Sequence, residues 1–338
     1  MFRRLLILSV FLPLLSHGQR TADIGFATGI VNYIGDLANE KKFPYSSASP
    51  GVQLTLRNFL NNPEHSHVLY NPLSLEFRLS WHRLQYDETH PLDGLQGHEL
   101  RNYLRGLNFR NDLFGAAVNV TYTLYKSRVL PLSRQGVVFY LLAGVGTYYG
   151  KPKADLFHGD ANLSNRYYFW NDGTIHDVDE SSGLTGNVIE KDGVYESDLS
   201  KWKTEAEGIK AEGDRRKSYS NFNVGFPLGL GARYALNRMI TLSAELDYYY
   251  FLTDYLDDVS TRYATYDELH QTFQQPEQFE LAKYISDPTG RGTDGTTGIH
   301  TSRRGNPSLK DSFTFFNIEV AYHFTLSDKE IYGQSARR

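Results

Sequence analysis

The sequence predicts a transmembrane antiparallel β-barrel of about eight strands, the smallest closed outer-membrane type. Three observations point there: a short cationic and apolar leader, a recurrent two-residue alternation of apolar and polar side chains, and a regular exchange of long and short connections. The leader is Arg3 and Arg4 followed by the apolar run Leu5 to Leu15 and then Ser16-His17-Gly18 before Gln19. Such a run falls short of the roughly 20 apolar residues a spanning helix needs, so residues 1–18 read as a signal peptide, with the mature chain beginning at Gln19. Mean hydropathy is negative, -0.46. That disfavours an inner-membrane protein, but a barrel hides its lipid-facing residues among polar ones and escapes a hydropathy scan.

The alternation is clearest at Leu73, Leu75, Phe77, Leu79 and Trp81, interleaved with Ser74, Glu76, Arg78, Ser80 and His82. It recurs at Ala116, Val118, Val120, Tyr122 and Leu124, and again at Val224, Phe226, Leu228, Leu230 and Ala232. After the tight turn Leu236-Asn237-Arg238, the apolar set is Ile240, Leu242, Ala244, Leu246, Tyr248 and Tyr250. The last strand sets Phe316, Ile318, Val320, Tyr322 and Phe324 against Asn317, Glu319, Ala321 and His323. Three weaker runs complete the count: Asp23 to Asn32, Gly51 to Asn58, and Val137 to Tyr149, the last apolar on both faces. Composition agrees, with 24 Tyr, 20 Phe and 29 Gly against 2 Met.

Taken in order, the connections at 33–50, 87–110, 150–221 and 253–311 are long and those between them short. Outer-membrane barrels place long loops outside and short turns in the periplasm, so both ends of the chain are expected in the periplasm. Residues 19–326 then form one barrel with its loops, and residues 327–338 a periplasmic tail. The fifth connection is polar and charged, carries Tyr167-Tyr168-Phe169-Trp170, and is expected to be mobile in part.

The polar faces of the strands bring Glu76, Arg78, Arg233, Glu245, Asp247 and Glu319 into the interior. Eight strands enclose a space that side chains just fill, so these charges are expected to pair as a polar plug rather than to line a channel. The segment Thr253 to Ser260 carries Asp254, Asp257 and Asp258. Its spacing is not that of a twelve-residue calcium loop, and capping of the barrel rim by hydrogen bonds to loop backbone is the expected role. On the periplasmic side lie Lys126, Arg128, Arg134, Arg238, Arg337 and Arg338. They suit anionic lipid headgroups and equally a docking surface for a periplasmic partner.

Several function classes fall away. With no Cys there is no disulfide, no thiolate metal site, no Cys nucleophile and no lipid anchor. A net charge of -4 provides no basic field for nucleic acid. No nucleophile elbow, zinc-binding His pair or phosphate-binding Gly loop is present. His82, His90 and His98 are the candidates for a rim lipid hydrolase, with structural or loop roles the expected ones. No cofactor, metal or small-molecule substrate is expected.

Gly29-Ile30-Val31-Asn32-Tyr33-Ile34-Gly35-Asp36-Leu37, Thr253-Asp254-Tyr255-Leu256-Asp257-Asp258-Val259-Ser260, and Arg304-Gly305-Asn306-Pro307 with Asp311 resemble segments of a family of Bacteroidota outer-membrane barrels. That family is typified by the PorG component of the type IX protein secretion system. Gly144-Val145-Gly146 and Pro227-Leu228-Gly229-Leu230-Gly231 resemble its glycine-marked strands. The likeness spans most of the mature chain; the connection 150–221 is longer than the family norm, and the chain runs past Phe324. The resemblance implies a non-enzymatic integral outer-membrane protein that anchors periplasmic ring subunits, with Asp36, Asp254, Asp257, Asp258, Arg304 and Asn306 as a loop and rim motif. The rival expectation is a surface binding protein or adhesin acting through its long loops.

Overall fold

The computed structural model describes residues 20–37, 47–59, 73–89, 98–124, 137–211, 214–215, 218–237, 239–301 and 303–326. Eight long strands dominate: β1 (Arg20–Ile34), β2 (Ser49–Phe59), β3 (Leu73–Asp87), β4 (Asn108–Thr123), β5 (Val137–Tyr149), β6 (Phe222–Ala235), β7 (Ile240–Phe251) and β8 (Ser312–Leu326). Each pairs antiparallel with its sequence neighbour, and β8 pairs with β1 from Leu326 opposite Arg20 to Ser312 opposite Ile34. The sheet therefore closes into a barrel without a free edge, satisfying the ladder of every strand internally.

The three weakly alternating runs are β1, β2 and β5. Strand β5 is apolar on both faces because Tyr140, Leu142 and Tyr148 turn inward and are buried, while Phe139, Leu141 and Val145 turn outward. The outward set of the whole barrel is greasy and uncovered. Phe26, Leu230 and Ile318 leave 56%, 59% and 55% of their surface exposed, and Leu54, Leu79, Val118, Val120, Leu246 and Val320 join them in one continuous belt. A patch of this extent exceeds what a water-soluble monomer exposes, and a closed barrel wearing it spans a membrane.

The belt ends on the loop side, where the outward positions turn polar: Arg83 pairs with Asp112 at 2.8 Å and Arg110 lies over the ring of Tyr195. Above Trp81 the strands β3 and β4 thus rise out of the apolar zone. On the opposite side the β6–β7 turn is tight, with the Asn237 side chain accepting from the backbone of Met239 and Ile240, both at 2.8 Å.

The long connections fold together over one mouth of the barrel. Among the described residues they hold four α-helices: α1 (His98–Arg105), α2 (Leu199–Trp202), α3 (Tyr266–Thr272) and α4 (Pro276–Ser286). Helix α3 starts with a capping box in which Thr265 and Glu268 serve each other's backbone N–H. The described part of the fifth connection, which is expected to be mobile in part, contains folded pieces. Lys153–Ala154 adds to the barrel sheet beside Arg110, Tyr168–Phe169 pairs with Ile175–His176, and Leu156, Phe157 and Leu199 reach inward. Widely spaced apolar residues inside a polar sequence conceal this burial from any periodicity. The apolar core they enter is continuous with the top of the lumen, joining Val31, Tyr33, Phe109 and Phe313 to Leu256, Val259 and Ile285.

Candidate functional site

The lumen has two layers. Toward the turn side it is ionic. Arg57 lies 2.8 Å from Glu76, 3.1 Å from Glu319 and 3.5 Å from Asp23, while Arg78 lies 2.6 Å from Glu76, 2.8 Å from Glu245 and 2.9 Å from Asp247. Glu76 thus bridges the two guanidiniums, with Asn119 donating to it at 3.2 Å. Tyr140 donates to Glu245 at 2.7 Å. Arg233 makes no ion pair among the described residues and stacks on the Tyr140 ring, 3.7 Å from its centroid. Small residues across the lumen make room: a Cβ on Gly25 would meet the Glu319 carboxyl, and one on Gly231 the Tyr140 ring.

All six interior charges inferred from alternation, Glu76, Arg78, Arg233, Glu245, Asp247 and Glu319, lie in this layer and are buried. Arg57 and Asp23 were missed: small residues thin the inward face of β1, whereas in β2 the short alternation of Val52, Leu54 and Leu56 with Gln53, Thr55 and Arg57 does place Arg57 inward. Arg57 is the more consequential omission, since it ties β2 to β1, β3 and β8.

Toward the loop side the lumen is aromatic. His82 sits fully buried among Phe315, Phe313 and Tyr249, at ring separations of 4.7, 5.0 and 5.1 Å. Tyr249 stacks on Phe313 at 4.4 Å, and Tyr148 meets Phe251 edge-on at 5.1 Å. Gln53 donates to Tyr249 Oη at 2.7 Å. His82 is therefore a packing residue inside the barrel and cannot serve a hydrolase at the rim. His90 lies outside the described residues, and only the backbone of His98, at the start of α1, is described.

Above the aromatic layer, the segments of the loop and rim motif meet in a lock that draws in all four long connections. From the first, Asp36 accepts the backbone N–H of Asn306 at 2.7 Å. From the third, Arg105 is held by Glu88 and donates to the carbonyls of Arg304 and Asp36. From the fifth, Glu205 accepts from the backbone of Ser260 and Thr261, both at 2.8 Å, and pairs with Arg304 at 3.2 Å. From the seventh, Arg304 also pairs with Asp258 at 3.3 Å, and Asp258 accepts from Thr204 at 2.6 Å and from Tyr219. Asp258 has φ of 68°, a left-handed conformation that Asp tolerates better than most residues.

The carboxylates of this lock point at separate donors. Asp254 takes the Ser260 hydroxyl at 2.7 Å and Asp257 the backbone of Val259 at 2.9 Å. Of Asp254, Asp257 and Asp258, only Asp257 caps backbone, while Asp254 and Asp258 take side-chain donors; among the described residues no trio of His, Asp or Glu is gathered as a metal site would need. Tyr33 Oη lies 2.7 Å from both Asp257 and Asp311. One hydroxyl hydrogen cannot serve two carboxylates, so one of the pair carries a proton. Burial accordingly lifts Asp311 to about 8, and burial with the facing Asp311 lifts Asp257. Burial also lifts Asp254 to about 7 and Glu207 to about 8, and lifts Asp36 to about 6 against the opposing bond from Asn306.

The basic residues Lys126, Arg128, Arg134, Arg238, Arg337 and Arg338 lie outside the described residues. The described part of the turn side is the tight β6–β7 connection and the barrel ends of the strands.

No known family matches the chain, and no curated protein does. Among solved structures it is similar to Neisserial surface protein A at 8% identity, over 91% of this chain and 100% of that one, with a TM-score of 0.31. It is similar to Ail, the attachment invasion locus protein of Yersinia pestis, at 9% identity over 91% and 100%, with a TM-score of 0.29. It is also similar to a major outer membrane protein of Thermus thermophilus, at 11% identity over 90% and 99%, with a TM-score of 0.35. The closed strand pairing and the apolar belt, rather than these likenesses, assign the membrane barrel.

Proposed function

We propose that this chain is a non-enzymatic, non-conducting outer-membrane anchor of the type IX secretion apparatus, holding a periplasmic ring complex through its short turns and basic tail. The observation that carries the reading is the sealed lumen: an ionic layer and an aromatic layer fill it, so the protein acts through its two ends and not through its middle. The segments that resemble the secretion barrels support it further, because they are far apart in sequence and meet in one lock of named contacts. The ring is the expected partner on the turn side. Capture of ring subunits by the purified full-length protein, compared with a variant neutralised at Lys126, Arg128, Arg134, Arg238, Arg337 and Arg338, tests the reading. Retention by the first and loss by the second is expected; no capture by the intact protein removes the proposal. Planar-bilayer recording should give no stepwise conductance.

A second reading, a surface binding protein acting through its loops, is favoured by one observation. The fifth and seventh connections pack into a folded cap with a preformed cavity, not into loose strands of chain. The two readings use opposite ends of the molecule. Neutralising the turn-side residues should leave surface binding intact, and altering the cap should leave ring capture intact.

A further inference from the structure

A cavity of about 510 Å³ opens between the fifth and seventh connections, away from the lock and outside the barrel. We propose that it binds a short acidic saccharide. The proposal rests on the surface-binding reading and supplies the ligand class that reading lacks.

Its size falls within the range of small-ligand sites, roughly 300–1,000 Å³. Its walls are built beforehand. Tyr284 of α4 donates to the carbonyl of Leu156 at 2.7 Å, and Tyr103 of α1 donates to the carbonyl of Trp170 at 2.8 Å. Arg291 donates to the carbonyl of Phe169 at 3.2 Å and to Asn171 Oδ1 at 2.9 Å. A ligand entering here orders no loop, which removes one of the main costs of binding.

The polar groups of the wall divide by what they already do. Glu180 accepts from the backbone and side chain of Asn171, and Asp287 from Gly292 and Thr293. Glu280 is paired with Lys283. The guanidinium of Arg166, by contrast, makes neither ion pair nor hydrogen bond among the described residues; it lies over the rings of Tyr168 at 4.5 Å and Tyr284 at 5.9 Å. The Arg291 guanidinium is already engaged by the carbonyl of Phe169 and by Asn171, with the Tyr103 hydroxyl beside it. One cationic donor, the partly exposed guanidinium of Arg166, therefore lies on the cavity wall with no protein acceptor among the described residues.

Charge and ring content together narrow the class. The wall holds Asp179, Glu180, Glu280 and Asp287 besides Arg166, Lys283 and Arg291, so its formal balance is close to neutral. A bare phosphate or a polyphosphate would meet repelling carboxylates. A saccharide brings hydroxyl donors for those carboxylates, and an acidic one also brings an acceptor for the Arg166 guanidinium. Trp170, stacked on His176 at 3.6 Å on one side, and the half-buried rings of Tyr168 and Tyr266 offer apolar faces of the kind a sugar ring rests on. The predominance of polar groups disfavours a lipid chain.

The test uses the full-length protein in detergent micelles, with tryptophan fluorescence and calorimetry as readouts. The probes are a glucuronic-acid disaccharide, its neutral counterpart cellobiose, and inorganic phosphate. The uronic disaccharide should bind saturably and at least about tenfold more tightly than cellobiose, with phosphate not competing. Arg166→Gln should weaken it about tenfold or more, and Lys283→Gln, at an exposed pair, should weaken it less; heat-modified gel migration checks that both variants fold. Absence of saturable sugar binding, equal binding of the neutral sugar, competition by phosphate, or an unchanged affinity in Arg166→Gln would each overturn the proposal. If whole cells still adhered to a surface while the purified protein ignored every sugar, the cavity site would fall and the surface-binding reading would stand.

Discussion

Replacing Arg78 by Met should destabilise the barrel more than almost any other single change in the lumen. The side chain is 2% exposed and faces Glu76, Glu245 and Asp247 at 2.6, 2.8 and 2.9 Å. Methionine fills most of the volume but leaves three carboxyl groups buried without their shared cation. Removing one partner from a buried ionic cluster costs about 3–5 kcal/mol, because the stranded charge is not returned to water. Replacing Arg78 together with its other two partners, as Arg78→Met, Glu245→Gln and Asp247→Asn, while Glu76 stays paired with Arg57 at 2.8 Å, should recover most of that loss, since desolvation then disappears along with attraction. Arg78→Lys should fall between, as one ammonium cannot span three acceptors in the guanidinium geometry. Reversible urea unfolding from lipid vesicles, followed by tryptophan emission and gel migration, measures each. A loss under about 1 kcal/mol for Arg78→Met, the value of an exposed pair, would mean that water fills the lumen and that the sealed-barrel argument is wrong.

Three other outcomes follow. Arg304→Met should cost about 3–5 kcal/mol of cap stability by stranding Glu205 and Asp258, read as faster protease cleavage within residues 156–214 on intact cells while the barrel keeps its heat-modified migration. Because Asp257, Asp311 and Glu207 hold their protons more tightly when folded, the stability they contribute is complete below about pH 4 and is lost as pH rises through about 8. Cap protection from protease should thus weaken between about pH 5 and about 8. Asp311→Asn, which can donate to Tyr33 and still accept from Leu256, should flatten that slope; an unchanged slope refutes the shared proton. Gly231→Val, which drives a side chain into the Tyr140 ring, should cost about 1–3 kcal/mol by overpacking, measured by the same urea titration.

The strands were legible where one face meets lipid and the other a polar lumen, as in β3 and β7, because burial then imposes a strict period of two. Legibility failed where the lumen itself is aromatic. In β5 both faces are apolar, and in β1 small residues occupy inward positions, Ala27 opposite Glu319 and Gly29 opposite Asn317, so the pattern thins and Asp23 could not be placed. In β2, by contrast, Val52, Leu54 and Leu56 alternate with Gln53, Thr55 and Arg57, a short run that already carries the inward placement of Arg57. The cap was the least legible part. Its core residues Leu156, Phe157, Leu199, Leu256 and Val259 follow no helix or strand period, since irregular segments bury side chains wherever the chain happens to turn inward. The motif residues were found in the sequence, and Tyr33 lies within one of the motif segments, but the partners that complete the lock, Arg105 and Glu205, carry no local signal; only closure of the barrel brings them to it.

The lock joins Asp36, just past β1, to Asn306, and Tyr33, near the end of β1, to Asp311, just before β8. Those two strands are the seam of the cylinder, and they are the pair most distant along the polypeptide. A contact between their flanking segments can form only after the seam has shut, so maturation of the cap comes last in time and reports on the event beneath it. Any accessory factor that holds the seam apart during insertion also holds the cap unfinished, and its departure releases both at once.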